Sequence, residues 1–206
     1  MSTAIATETR YTPEDLLAMP DGKSYELVHG QLVERNMGAE SSGVGGRLFL
    51  RLGQFCGEHG LGNAWPADNG FECFPHDPGL VRKPDVSFVR RGRLPGDVEP
   101  EGWVKIPPDL AVEVVSPNDR VYELEEKLDD YRKVRVPLVW VIYPKQRKAK
   151  VLRRDGPPSD LGEDDELSGE DVIPGFRCVL REILPHRDEP EEGQPASTAN
   201  AGIPTS

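Results

Sequence analysis

Cysteine is scarce in this chain. Its three copies in 206 residues, Cys56, Cys73 and Cys178, have spacings that match neither a disulfide framework nor a thiolate metal site. They are expected to be free thiols in a reducing compartment. No apolar run approaches the ~18 residues needed to cross a membrane. Residues 1–10, rich in Ser, Thr and Ala, lack the basic start and apolar centre of an export signal, so a cytoplasmic protein is expected. Positive charge is also short: 25 Lys and Arg face 36 Asp and Glu, a net charge of −11. Phosphate binding is mostly cationic, but this acidity is local. Residues 155–206 hold thirteen acids and three bases, whereas the first 154 residues hold 23 acids and 22 bases. The body of the chain is nearly neutral, and nucleic acid is not excluded as a partner.

No internal repeat is present, and Gly43, Gly45 and Gly46 form no phosphate-binding loop, because no Lys-Ser/Thr pair follows them. A chain of this length is expected to form one domain with a real core. That domain should span residues 11–184, between a disordered start at 1–10 and a disordered acidic, proline-rich tail at 185–206.

Within it, residues 83–143 organise the rest. Asp85 sits behind Pro84 at the mouth of the β-type run Val86-Ser87-Phe88-Val89. Asp109-Leu110-Ala111-Val112-Glu113-Val114-Val115 then reads as a strand in which one carboxylate interrupts apolar residues. By alternation Glu113 shares a face with Ala111 and Val115. So apolar a strand belongs in the middle of a sheet, where a lone ionised carboxylate is costly unless a cation meets it. As an edge residue facing water, Glu113 would be trivial. A helix with Val121, Leu124, Leu128 and Tyr131 as its buried stripe follows, carrying Lys127 at the stripe's margin. Two carboxylates and a lysine brought together by neighbouring elements make a candidate divalent-metal site.

The remaining elements read as follows. Residues 12–19 form a short helix with Thr12 as N-cap and Pro13 in its first turn. A hairpin of residues 25–28 and 31–34 turns at His29-Gly30. Residues 40–58 form a helix with Val44, Leu48, Leu52 and Phe55 inward. Trp65 and Phe71 point inward from one or two strands in 63–73, and two more strands cover 138–143 and 148–152. Residues 90–107 form a surface loop, and 155–171 a loose acidic connection.

These residues, in this order, resemble the Uma2 family of restriction-type endonucleases, a branch of the PD-(D/E)XK nuclease superfamily. The likeness is carried by Tyr25-Glu26-Leu27-Val28-His29-Gly30, Pro84-Asp85, Glu113-Val114-Val115, Glu126-Lys127-Leu128 with Tyr131, the strand from Leu138, and Ile173-Pro174-Gly175-Phe176. It runs over residues 11–184. The resemblance implies an α/β (mixed α+β) restriction-endonuclease-like core. A mixed central β-sheet is flanked by helices and preceded by an N-terminal hairpin. It implies a metal-dependent endonuclease whose Asp85, Glu113 and Val114 carbonyl hold Mg²⁺ or Mn²⁺, with Lys127 and Glu26 completing the catalytic set. The implied partner is nucleic acid, double-stranded DNA, and a homodimer would suit cutting both strands.

Each residue also has a plainer reading. Pro-Asp recurs at Pro108-Asp109, Lys127 could pair with Glu123 one turn earlier on a wet surface, and Glu26 could face solvent on an edge hairpin. Arg82, Lys83, Arg90, Arg91 and Arg93 could meet a phosphate backbone or belong to a solvated loop. Trp103 is expected to pin that loop. Two departures from the family pattern stand out. Val115 occupies the position of the superfamily's strand lysine, and Ser41, Ser42 and Gly43 stand where the family often carries a histidine. They leave open an alternative: a nuclease-fold protein that binds nucleic acid or regulates without turnover.

Overall fold

A computed structural model of the chain describes residues 9–35, 38–117 and 119–186. Most of the two ends expected to be disordered lies outside these residues.

Helix α1 (Pro13–Ala18) starts at Thr12 with a capping box: the Thr12 hydroxyl accepts from the Asp15 N–H, and the Asp15 carboxylate accepts from the Thr12 N–H. Strands β1 (Tyr25–Val28) and β2 (Gln31–Glu34) form the expected hairpin. Both turn residues are left-handed, His29 at φ 52° and Gly30 at φ 78°. Helix α2 (Ala39–His59) ends where Gly60 turns left-handed at φ 61°.

A six-stranded mixed sheet forms the centre, in the order β3-β4-β5-β6-β7-β8. Its strands are β3 (Gly62–Pro66), β4 (Val86–Arg90), β5 (Leu110–Val114), β6 (Leu138–Tyr143), β7 (Lys148–Arg153) and β8 (Ser159–Gly162). Only β5 and β6 run parallel. A parallel pair needs a crossover, and helix α3 (Val121–Lys133) supplies it.

The sheet is covered on both faces. Val112, Val114, Trp140 and Ile142 pack against Val44, Leu48 and Leu52 of α2 and against Ile173, Phe176 and Leu180 near the C-terminal end. Ala111, Val139 and Val141, on the other face, pack against Leu128 and Tyr131 of α3 and against Phe71, Leu80 and Val104. Each such fully buried aliphatic side chain contributes about 1.5–3 kcal/mol. Strand β5 is interior and all five of its residues are buried.

Two expectations are corrected. Val121 does not belong to the buried stripe of α3: it is 76% exposed, and the helix packs on the core only from Leu124 onward. The acidic stretch 155–171 is not a loose connection. It contains β8 and β9 (Glu166–Ser168), and β9 pairs with β10 (Arg177–Val179). Its acids are accommodated by bases: Asp160 stands opposite Lys150, Glu170 pairs with Arg153 at 2.6 Å, and Glu163 pairs with Arg147. Leu167 meanwhile drops into the core.

Candidate active site

Because α3 is the crossover between β5 and β6, it lies over the β5 face that carries Glu113. Leu124, Lys127, Leu128 and Tyr131 fall on one side of the helix at spacings of three and four. Tyr131 therefore reaches one oxygen of Glu113, donating its hydroxyl to Oε1 at 2.7 Å, while Lys127 Nζ reaches Oε2 at 2.9 Å. Lys127 is not a surface partner of Glu123. Its ammonium also lies 3.1 Å from Glu26 Oε1, and its side chain is 17% exposed.

Glu26 is 2% exposed, so the solvent-facing reading fails. The hairpin is tied down on its β1 side by reciprocal main-chain bonds between Leu27 and Val81. That junction aims Glu26 inward, where Oε1 accepts from the Lys83 N–H at 2.7 Å and Oε2 meets Arg82 at 3.2 Å.

Asp85 immediately precedes β4. Its N–H donates to the Val112 carbonyl at 2.9 Å, and its Oδ2 accepts from the Val114 N–H at 2.7 Å. A side-chain carboxylate thus takes a bond that a ladder partner would otherwise supply at the end of β5. Asp109, the rival Pro-Asp acid, sits at the opposite end of β5, where it accepts from Arg90 N–H and Arg93.

Sequence reasoning missed Arg35. Its NH2 lies 3.2 Å from Asp85 Oδ1, its NH1 donates to the Ala67 carbonyl at 2.7 Å, and its side chain is 8% exposed. A signal was available in the hairpin register. Glu26 stands opposite Val33 and Tyr25 opposite Glu34, so alternation carries Arg35 to the same face as Glu26 and Val33.

Of the basic residues flanking Asp85, Arg82 and Lys83 are not free to bind phosphate. Arg82 and Lys83 are buried at 3% and 0% exposure. Arg82 holds Asp130 through Nε at 2.9 Å and NH2 at 2.6 Å, and Lys83 Nζ donates to the Gly22 carbonyl at 2.6 Å. Arg90 bonds the carbonyls of Asp171 and Val172. Trp103 is a packing residue, as expected, with its indole N–H on the Pro13 carbonyl at 2.8 Å.

Three carboxylates thus share one buried neighbourhood with three cations, Arg35, Arg82 and Lys127, and the electrostatics of the acids diverge. Burial pushes Glu113 up to about 7 against the pull of Lys127, helped by the negative charges of Asp85 and Glu26. Burial likewise raises Asp85, outweighing Lys127, the Val114 N–H and Arg35. Glu26 goes the other way: burial opposes its charge, but Lys127, Arg82 and the Lys83 N–H hold it below the usual carboxylate range. Burial also opposes the Lys127 charge, yet the three acids keep its pKa above that of an ordinary lysine. Unequal pKa values among clustered carboxylates are a mark of functional sites.

The cluster lines a solvent-open pocket, together with Ser41 of α2 and Arg120, Tyr122 and Glu123 at the start of α3. Ser41 thus faces the site from the stretch in which the family often has a histidine, and no described histidine lines it.

The family model described as "Uma2: Putative restriction endonuclease" matches residues 13–181. The chain belongs to the Uma2 family. A solved structure similar to this Uma2 chain is a "putative nuclease belonging to DUF820" from Anabaena variabilis ATCC 29413. It aligns with a TM-score of 0.69 and 16% identity, over 84% of this chain and 97% of that one. At that identity the likeness speaks for the fold, which is the mixed-sheet nuclease fold expected from the sequence. No curated protein matches this Uma2 chain.

The donor chemistry of the pocket suits the metal that such a fold implies. Asp85 and Glu113 offer hard oxygens, and burial disfavours their charged forms, a cost that a bound cation would offset. Among the described residues no group of three or more His, Cys, Asp or Glu could hold an ion. The protein could supply two carboxylates, with the remaining ligands coming from main chain, water or substrate, which is the usual economy of Mg²⁺ sites.

Proposed function

We propose that this protein is a metal-dependent endonuclease that hydrolyses phosphodiester bonds in DNA. The observation that carries the reading is the single ammonium of Lys127, lodged between Glu113 and Glu26 beside the pocket that Asp85 also lines. Asp85 and Glu113, with the Val114 carbonyl, would hold Mg²⁺ or Mn²⁺. The bound ion supplies positive charge that polarises a phosphate and lowers the pKa of water.

The chain's own residues do the rest. Lys127 stands where it can stabilise negative charge developing on phosphorus, in a partly desolvated site where such an interaction outweighs its value in water. Tyr131 holds Glu113 in place through its hydroxyl, and Arg82 and the Lys83 N–H do the same for Glu26. Glu26 keeps its negative charge and is suited to orienting the Lys127 ammonium or a water, not to donating a proton.

The alternative of a nuclease-fold protein without turnover drew on the serines in place of a histidine, on the neutral body with its acidic end, and on the missing strand lysine. Lys127 reaches the same carboxylates from the helix, so the last of these arguments loses most of its weight. The test uses labelled DNA and RNA duplexes and single strands, incubated with EDTA, Mg²⁺ or Mn²⁺, beside Asp85→Ala and Glu113→Ala. Metal-dependent cleavage of DNA lost in both variants is the expected outcome. Binding without cleavage in either metal overturns the enzyme reading.

A further inference from the structure

We propose that Arg35 is the resident counter-ion of the metal site: its guanidinium holds Asp85 until a divalent cation arrives, then turns to bind the scissile phosphate. This inference rests on the metal-dependent reading above. It begins from an asymmetry at Asp85. Oδ2 is bound by the main-chain N–H of Val114, which cannot leave without moving the sheet. Oδ1 is bound by the end of a long side chain, which can leave by side-chain rotation without moving the sheet.

Arg35 is well anchored at its backbone, where its N–H donates to the Ser24 carbonyl at 2.8 Å. Its head group is held less firmly than its neighbours. Of the three cations that face inward at this pocket, Arg82 is paired with Glu26 and Asp130, and Lys127 with Glu26 and Glu113. Among the described residues, Arg35 has one carboxylate, Asp85, and one carbonyl, Ala67. A cation entering beside Asp85 meets a guanidinium that never deprotonates, so repulsion and competition for the same oxygen both act on Arg35.

Once released, the guanidinium remains in the same pocket as Lys127. Its planar fork fits two phosphate oxygens at once, which a lysine cannot do. Arg35 therefore opposes ion binding in the free protein and favours phosphate binding in the loaded one. Nucleic acid and ion are expected to bind cooperatively, because the phosphate gives the displaced charge a partner.

The test is Mn²⁺ titration by calorimetry on the full chain, comparing wild type with Arg35→Met and Arg35→Lys. Removing a unit charge next to the ion is expected to tighten Mn²⁺ binding about tenfold or more in Arg35→Met. Arg35→Lys, which keeps the charge, should stay within about threefold of wild type. At saturating Mn²⁺, Arg35→Met should cleave DNA about 10²-fold more slowly, because the phosphate loses its partner. If Arg35→Met does not fold, Arg35→Gln, neutral but still able to donate to Asp85, is expected to show the same gain in affinity. Should wild type bind Mn²⁺ and the neutral variant bind it no more tightly, the counter-ion role is overturned while the metal-dependent reading stands. Uptake by neither protein overturns both. Tighter binding without slower cleavage overturns the phosphate role.

Discussion

The Val114 N–H donates to the Asp85 carboxylate at 2.7 Å across the gap where β4 has not yet begun. Through that bond an acid in a connecting segment is positioned by the interior strand β5, whose side chain Glu113 is the second carboxylate of the site. The two acids are therefore held by one strand, one through its main chain and one through its side chain.

Asp85→Asn is expected to retain the bond from Val114, since an amide oxygen accepts as a carboxylate does, while losing the charge. Cleavage should fall at least about 10²-fold, and calorimetric Mn²⁺ binding should disappear, with the far-ultraviolet circular dichroism unchanged. Activity within tenfold of wild type would remove Asp85 from the site.

Lys127→Met leaves Glu113 and Glu26 without their shared cation in a buried setting. A loss of about 3–5 kcal/mol in urea unfolding is expected at pH 8 in EDTA. The loss should shrink towards pH 5. Glu113 titrates near 4.5 when unfolded and at about 7 in the fold, so the fold binds its proton more tightly. Its contribution to stability consequently falls as pH rises from 4.5 to 7. Removing the ammonium pushes that folded pKa further up, and acidification neutralises the stranded carboxyl. A pH-independent difference between variant and wild type would contradict this assignment.

Arg82 and Asp130 form a buried pair at 2.6 Å, linked onward to Glu26. Each single change, Arg82→Met or Asp130→Leu, strands a partner and is expected to cost about 3–5 kcal/mol. The double variant should cost less than the two together by about 1–3 kcal/mol in a double-mutant cycle. Additive losses would show that the two side chains act independently.

Burial pushes the thiols of Cys56 and Cys178 up to about 11 and that of Cys73 up to about 12, in the last case against Arg93. At pH 8 the native protein should therefore react negligibly with a disulfide reagent such as DTNB, since the thiolate is the reactive form. In guanidinium chloride all three should titrate. Rapid labelling of the native chain would show that one of them is open to solvent.

Much of the fold could be read from local patterns because its strongest signals are local. Thr12 and Pro13 start α1, His29 and Gly30 turn the first hairpin, and the apolar run from Leu138 makes a buried strand. The elements that escaped local reading are those whose stability comes from partners far along the chain. The stretch that holds β8 and β9 carries too many acids to read as strands until Lys150, Arg153 and Arg147 stand beside it. The exposed first turn of α3 shows the reverse, since the pattern that includes Val121 contains no information about where along the helix tertiary packing begins.

At the site the division is sharper. Sequence alone determined that Glu113 would be a charge within a buried strand, because alternation and an apolar neighbourhood are properties of the strand itself. Only tertiary structure decided what meets that charge. Lys127 and Tyr131 reach it because a parallel pair of strands requires a helical crossover above it. Arg35 reaches Asp85 because hairpin register turns it inward, and Glu26 is buried because Leu27 docks on Val81. Charge pairing acts over a few ångströms in space, whereas local sequence patterns report only on neighbours along the chain.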